Sequence, residues 1–240
     1  MTGQLKTPGL INWTFYLAMT LLVVLPLSVL TVRSGAWQQG LLLYAIACFG
    51  SAALVALSLA LLLLPRFAAW RKTIMLRALP AIPGTAMLIM LFSGPTAPRI
   101  HDITTDTANP PTFSKAIELR GAGSNSLDID QDVILLQEAA YPDLQTLSSD
   151  QAFDAAYNRA VQVATDLGWE IYHEDRNAGV IEAVDTTAVM GFKDDVVIRL
   201  RTNAEGTLID LRSVSRVGQG DIGANAQRIR AFFEAFQQQG

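Results

Sequence analysis

Two long runs without a charged residue limit what this chain can fold into more than any other feature of its sequence. Leu10–Val32 and Leu41–Leu64 contain 23 and 24 residues, none of them Asp, Glu, Lys or Arg. As α-helices they would each be about 35 Å long, which is enough to cross a hydrocarbon core of roughly 30 Å. Because a backbone in lipid must satisfy its own hydrogen bonds, both runs are predicted to be transmembrane helices.

A third apolar segment, Ile74–Phe92, is a weaker candidate for a membrane span. It contains Arg77 and two prolines, which shorten its uninterrupted apolar part. The sequence therefore predicts a membrane domain over residues 1–94 with two to three transmembrane helices.

Basic residues beside the spans predict the orientation of the chain. The loop after the second run carries Arg66, Arg71 and Lys72, whereas the loop before it carries only Arg33. Because basic loops stay in the cytoplasm, the N-terminus is expected inside and, with three spans, the C-terminal domain outside the cytoplasm. In a bacterium this means a cytoplasmic (inner) membrane protein with a periplasmic domain. With only two spans, the same domain would be cytoplasmic.

Charge divides the chain near Pro95. Residues 1–94 contain no acidic residue, whereas the remainder contains 12 basic and 22 acidic residues, a net charge of −10. Residues 95–130 are rich in Pro, Thr and Asp and are predicted to be an extended connector. Residues 131–240 are predicted to be an α+β domain.

The pattern of this domain predicts an antiparallel sheet. A short run at residues 144–147 precedes a helix that ends near Leu167, and four strand-like runs follow before a final helix. Sequential strands with short connections favour antiparallel pairing, with the helices packed on one face. The expected order is β-α-β-β-β-β-α, an α+β fold behind N-terminal transmembrane helices.

The last two strands can be aligned residue by residue. A turn over residues 203–206 pairs Thr202 with Thr207, and side chains then alternate between two faces. One face is apolar and buried beneath the helices. The other carries Asp195, Arg199, Asp210, Arg212 and Arg216.

Arginines and glycines before the final helix raise the question of an anion site. Residues 212–230 read RSVSRVGQGDIGANAQRIR, and glycines before a helix start with arginines nearby are the usual arrangement for binding phosphate. One hypothesis is that Arg212, Arg216 and Arg228 converge on a phosphate or carboxylate group of a ligand, with Asp195 and Asn225 beside them.

The alternative hypothesis is structural. Asp221 precedes a helix that is expected from Ile222 to about Gln238, and its carboxylate would cap that helix and occupy the place of an anion. Arg212 and Arg216 would then pair with carboxylates such as Asp195. The predicted buried stripe of this helix is Ile222, Ala226, Ile229, Phe233 and Phe236.

Several other kinds of site are not expected. The chain has two histidines and one cysteine, Cys48, which lies in the second apolar run, so neither a metal site nor a cofactor is predicted. No G-x-S-x-G motif is present, and no catalytic residue is assigned. The net charge of −10 argues against a nucleic acid partner.

Three segments in the second half resemble a known family. RIHDITTDTANPPTF, GFKDDVVIRLR and DLRSVSRVGQGDIGANAQRIRAF are similar to the characteristic segments of the bacterial domain of unknown function 1499 family. The resemblance covers roughly residues 98–238 and also fits membrane segments ahead of the domain. It implies a placement in the membrane and no activity.

Two functions remain open at this point. The first is a non-enzymatic binding or scaffold domain of the cell envelope, with the lipid bilayer and an envelope protein, a lipid head group or a glycan as partners. The second is an envelope hydrolase, an esterase or phosphohydrolase, with its site on the arginine-rich sheet face. A convergent pocket on that face would favour the hydrolase, and a charge-paired face would favour the scaffold.

Overall fold

The computed structural model describes residues 6–93 and 97–238, which belong to two compact units, Met1–Pro95 and Thr96–Gly240. The first unit is helical, and the second contains the sheet. The boundary between them coincides with the change in charge along the sequence.

The first unit is built from α1 (Gly9–Arg33), α2 (Trp37–Leu63), α3 (Arg71–Ala78) and α4 (Ile82–Ser93), with 3-10 turns at Pro65–Trp70 and Leu79–Ala81. Three stretches are long and apolar enough to cross a membrane: Gly9–Arg33, Trp37–Leu63 and Pro65–Ser93. These stretches fit the predicted membrane protein and include the three segments proposed from the sequence, except that the second stretch ends at Leu63 and not at Leu64.

Close contacts between small residues hold the helices of this unit together. A Cβ atom on Gly84 of α4 would lie 2.5 Å from the Ser51 hydroxyl of α2, so the two helices meet without a side chain between them. Arg77, the charge that weakened the third prediction, donates a hydrogen bond to the Asn12 side chain and lies over the Phe15 ring. Its polar group is therefore satisfied by α1.

The second unit contains six strands and four helices among its described residues. In chain order these are β1 (Asp102–Thr104), α5 (Ala116–Leu119), α6 (Gln131–Ala140), β2 (Leu147–Ser149), α7 (Phe153–Asp166), β3 (Glu170–Asp175), β4 (Val180–Thr186), β5 (Lys193–Asn203), β6 (Gly206–Ser215) and α8 (Ala224–Gln238). The α+β class is confirmed, and β1, α5 and α6 add to the predicted order.

All strands of the sheet pair in antiparallel fashion, in the order β1-β6-β5-β4-β3. β2 also pairs with β6, beside residues 207–209, while β1 lies beside residues 212–214. The predicted register of the last hairpin is confirmed, because Thr202 pairs with Thr207 and Arg199 with Asp210.

One face of the sheet is covered by α7 and α8. The apolar side chains of β4, β5 and β6 on this face form one core with both helices. Trp169 and Phe232 stack here with ring centroids 5.5 Å apart. Gly168, directly after α7, has a φ of +81°, as expected for a glycine that ends a helix.

The start of α8 corrects the prediction for the final helix. The helix begins at Ala224, and Ile222 lies in the preceding turn with a φ of +55° and 64% of its surface exposed. The predicted burial of Ile222 is therefore wrong. Phe232 is the fully buried aromatic residue of α8, whereas Phe233 is only partly buried.

The opposite face of the sheet is covered by residues 105–130, named here the covering segment. Its side chains Phe113, Ala116 and Leu127 pack against Val197 and Val214 of the sheet. The described residues of the predicted connector, 97–130, thus belong to the compact second unit and close the face that carries the arginines.

Candidate functional site

The sheet face that the covering segment closes is called the covered face below. Arg212 lies in the middle of this face and is only 1% exposed. Its Nε and Nη2 atoms donate to the two carboxylate oxygens of Asp102 at 3.0 and 2.6 Å. Its remaining hydrogen bonds go to the backbone oxygens of Pro111 and Leu127 in the covering segment. The guanidinium is therefore shared between β1 and the covering segment.

Arg216 forms the second ion pair of this face. Its Nε and Nη2 atoms bind the two carboxylate oxygens of Asp195 at 3.0 and 2.7 Å. Arg120 of the covering segment donates to the same carboxylate at 2.8 Å, so one buried Asp195 is shared by two guanidinium groups. This contact confirms the expectation that Arg216 pairs with Asp195.

Burial and charge shift the titration of the groups around Asp195. Burial raises the pKa of Tyr172, and the nearby charge of Asp195 raises this pKa further. Burial lowers the pKa of Arg120, although the Asp195 carboxylate opposes that change. The pKa of Arg216 is raised, chiefly by its hydrogen bonds to Asp195. At neutral pH the phenol thus stays protonated and both guanidinium groups stay charged.

Arg228 lies on the other face of the sheet, because it extends from α8. It binds Asp185 and Asp194 at 2.7 and 2.6 Å. It also donates to the Ser213 hydroxyl and to the side-chain oxygen of Asn225. The structure therefore does not bring Arg228 together with the two arginines of the covered face.

Asn225 links α8 to the end of the sheet. Its side-chain oxygen accepts a hydrogen bond from Ser213 at 2.7 Å. Its amide nitrogen donates to the Ser215 hydroxyl at 3.0 Å and to the His101 carbonyl at 3.1 Å. Asn225 is fully buried, and its place in this network is structural.

Asp221 lies three residues before the first residue of α8 and not directly before the helix as predicted, but its carboxylate still caps the helix as the structural hypothesis expects. Its carboxylate accepts hydrogen bonds from the backbone N–H groups of Gly223 at 2.8 Å and Asn225 at 2.6 Å. These amides are the donors that would otherwise face an anion at the helix start. The protein's own carboxylate therefore fills that position.

A second charge cluster on the covered face was not identified from the sequence. Arg199 and Arg201 each bind both Asp106 and Asp210, with nitrogen–oxygen distances between 2.7 and 3.2 Å. Asp210 also accepts a hydrogen bond from Thr146. Only the cross-strand pair of Arg199 with Asp210 could be predicted, because Asp106 lies about 100 residues away in the chain.

Glu182, in the centre of β4, is a buried carboxylate without an arginine partner among the described residues. It accepts hydrogen bonds from the backbone N–H groups of Ser114, Lys115 and Ala116 and from the Ser114 hydroxyl. The carboxylate is thus bound by backbone N–H groups at the start of α5 and in the two residues before it. Glu182 therefore adds a third polar contact between the sheet and the covering segment.

Together, these contacts show that the charged groups of the covered face bind other groups of the same chain. Arg212 and Arg216 each bind the two oxygens of an aspartate through two guanidinium N–H groups. The same pair of donors would otherwise bind a phosphate or carboxylate ligand. Asp194 and Asp195 point to opposite faces, with different arginine partners. They therefore cannot act as an acid–base pair on one substrate.

A cleft of about 460 Å³ opens beside this charge cluster, next to α6 and β2. Its lining includes the side chains of Asp106, Glu138, Tyr141 and Thr146. Across residues 6–93 and 97–238, no group of three or more His, Cys, Asp or Glu side chains is placed to hold a metal ion. The cleft presents the exposed Glu138 carboxylate, and its volume suits a small ligand.

Comparison with protein-family models identifies the family of this chain. A family model described as "Protein of unknown function (DUF1499)" matches residues 102–236, more than half of the chain. The match includes the three segments on which the sequence resemblance rests. No curated protein matches the chain.

Proposed function

We propose that this chain, which belongs to the DUF1499 family of proteins of unknown function, is a membrane-anchored binding or scaffold module of the cell envelope without catalytic activity. Its second unit would be the binding part and its three apolar helical stretches the anchor. The proposal separates this function from the alternative, a hydrolase with a site on the arginine-rich face.

The proposal rests on one observation: the arginines of that face are covered by the chain and paired with aspartates. A hydrolase needs donors that are free to meet charge as it develops on the substrate. Here, Arg212 is 1% exposed, and both Arg212 and Arg216 bind aspartates through two hydrogen bonds each. Such a face favours a rigid module whose arginines stabilise the fold.

The proposed location outside the cytoplasm rests on the basic residues of the first unit. Arg66, Arg71 and Lys72 lie together at the start of the third apolar stretch, directly after the second one, which favours a cytoplasmic position for this end of the stretch. Alkaline phosphatase fused after Gly240 should then be active, and a fluorescent protein that matures only in the cytoplasm should be dark there. The reverse result would contradict the orientation.

We place the binding site in the cleft beside α6, and among the possible partners we favour a glycan. The exposed Glu138 carboxylate lines this cleft together with Tyr141, whereas the Asp106 carboxylate in its lining already binds Arg199 and Arg201. A hydroxyl-rich ligand donates to an exposed carboxylate, whereas an anionic head group would be repelled by Glu138. The exposed Glu138 carboxylate accepts a hydrogen bond from the Thr107 hydroxyl at 2.8 Å through its Oε1 atom, and its Oε2 atom can accept from a ligand.

Two measurements on the purified full chain test this function. Hydrolysis of chromogenic acyl and phosphoryl esters should not depend on Arg216, so wild type and Arg216→Gln should show the same background rate. Turnover that Arg216→Gln abolishes would support the hydrolase instead.

Binding of soluble envelope oligosaccharides should weaken in Glu138→Ala and remain unchanged in the control Glu174→Ala. Glu174 is an exposed carboxylate of β3 that does not line the cleft. Equal binding by both variants would remove the cleft from the proposal.

A further inference from the structure

The turn before α8 presents an isoleucine in an unusual conformation. Ile222 has a φ of +55° and is 64% exposed. A β-branched side chain at positive φ is strained, and such strain persists only where the surroundings fix the backbone. The fixed backbone of this turn therefore holds the isoleucine side chain at the surface.

The surroundings of the turn account for its rigidity. The Asp221 carboxylate binds the backbone N–H groups of Gly223 and Asn225, and the Asp221 N–H donates to the Ile100 carbonyl at 3.2 Å. A Cβ atom on Gly220 would lie 3.2 Å from the Cα of Arg99. The turn is therefore fixed against residues 97–100.

Residues 97–100 follow the last apolar stretch closely in the chain. That stretch ends at Ser93, and Ala97 comes four residues later. Four residues of fully extended chain reach at most about 14 Å. If the apolar stretch lies in a bilayer, Ala97 cannot be further than this from the end of the span.

The chemistry of the surface around Ile222 matches a lipid interface. Ala97, Pro98, Arg99 and Gln219 line a shallow depression together with Ile222. Apolar residues beside a basic one are typical of segments that lie at the boundary between head groups and acyl chains. The exposed Arg99 side chain, which donates to Gln219 at 3.3 Å, suits an anionic head group.

We propose that the Ile222 turn contacts the lipid surface, with the isoleucine side chain at the head group–acyl boundary and Arg99 among the head groups. The proposal rests on the membrane anchoring of the proposed function but not on the side of the membrane, because the chain length limit holds for either orientation. The strain at Ile222 would then keep an apolar side chain pointing outward.

The test uses the full chain, reconstituted into vesicles of phosphatidylcholine and phosphatidylglycerol. Cys48, the single cysteine, is replaced by serine, and Ile222→Cys is labelled with an environment-sensitive dye. Ile117→Cys is the matched control, because Ile117 is an equally exposed isoleucine (65%) in α5. Lipids carrying spin labels near the head group then serve as quenchers.

We expect blue-shifted emission at position 222 that head-group spin labels quench, and less quenching at position 117. Emission at position 222 typical of water, without quenching, would overturn the proposal. Blue-shifted emission that no lipid label quenches would also overturn it, because the turn would then contact protein.

A second variant keeps the proposal testable if labelling disturbs the turn. Asparagine tolerates the left-handed conformation and is polar, so Ile222→Asn should keep or raise the hydrogen-exchange protection of α8. It should also reduce quenching of a dye at the neighbouring exposed Gln219→Cys. Loss of protection in α8 would show that Ile222 serves the fold, and unchanged quenching would remove its contact with lipid.

Discussion

The two faces of the sheet are covered by different parts of the chain and held by different chemistry. α7 and α8 cover one face mainly through an apolar core that includes Trp169 and Phe232, and this face has a single arginine of α8, Arg228, paired with Asp185 and Asp194. The covering segment, residues 105–130, closes the other face through a small apolar cluster and through ion pairs of Arg120 and Asp106, and β1 adds the pair of Asp102 with Arg212. One sheet thus combines a packed core with a charge-paired cover.

This difference indicates how the stability of each face responds to substitutions. An apolar core loses stability in proportion to the volume removed. A buried ion pair contributes little net stability, but removing one partner leaves the other charge buried without compensation. The stability of the arginine-rich face therefore depends on each arginine keeping its aspartate partner. In the sequence, where these partners are not visible, the same arginines resemble ligand-binding groups.

The largest expected effect tests the helix-covered face. Phe232→Ala should lower the free energy of unfolding of the second unit by about 4 kcal/mol, because a fully buried aromatic side chain is lost. Hydrogen exchange of the β5 and β6 amides in the detergent-solubilised chain measures this change. Phe233→Ala is the matched control and should cost clearly less, since Phe233 is only partly buried. Equal losses would show that α8 is rotated.

The next effect tests the charge-paired face. Asp195→Asn should lower the same free energy by about 3 kcal/mol, because Arg120 and Arg216 would keep their charges without a counter-charge. The exchange of covering-segment amides should rise together with that of the sheet. If Asp154→Asn, at an exposed ion pair, has the same effect, burial does not distinguish the two kinds of pair.

A smaller effect is expected where α8 meets the end of the sheet. Asp221→Ala removes the acceptor for two backbone N–H groups and should cost about 1 kcal/mol. The loss should be confined to the first turn of α8 in hydrogen exchange. Gln238→Ala, at the exposed end of the same helix, should change little, and a comparable loss there would contradict the capping role of Asp221.

The smallest effect concerns an ion pair outside both faces. The Arg230 hydrogen bond lowers the pKa of Asp143 below its ordinary value, and both side chains are largely exposed. A lowered folded pKa stabilises the protein above the unfolded pKa, near 4, and that contribution is lost as pH falls through the folded pKa. At this exposure it should amount to about 0.5 kcal/mol. Comparing wild type with Asp143→Asn between pH 6 and pH 2 measures it, and a difference that grows on acidification would contradict the sign.

Much of the fold could be predicted because its signals are local. The alternation in β5 and β6 fixed the register from Thr202 and Thr207, and glycine after α7 marked the end of that helix. The start of α8 could not be placed, because Ile222 adopts positive φ against its own preference. Because the predicted start of α8 was wrong, the sequence could not show which of the two neighbouring residues, Phe232 or Phe233, is the more deeply buried.

β1 and the covering segment could not be predicted for a different reason. β1 has only three residues, too few to show a period, and its partner strand lies about 110 residues later in the chain. The acidic residues Asp102 and Asp106 gave the one available signal, since the arginines of the sheet require counter-charges. Their pairing with Arg212 and Arg199 depends on tertiary structure that no local pattern encodes.

The central claim is that the arginines of the covered face are satisfied by the protein's own carboxylates. The most direct measurement is the melting temperature of the full chain in detergent, in phosphate and in chloride at equal ionic strength, for wild type and Arg216→Gln. Phosphate raises the stability of proteins generally, so the comparison between the two proteins decides. The account predicts the same rise for both. A larger rise in wild type that Arg216→Gln abolishes would show an anion site on this face and contradict the account.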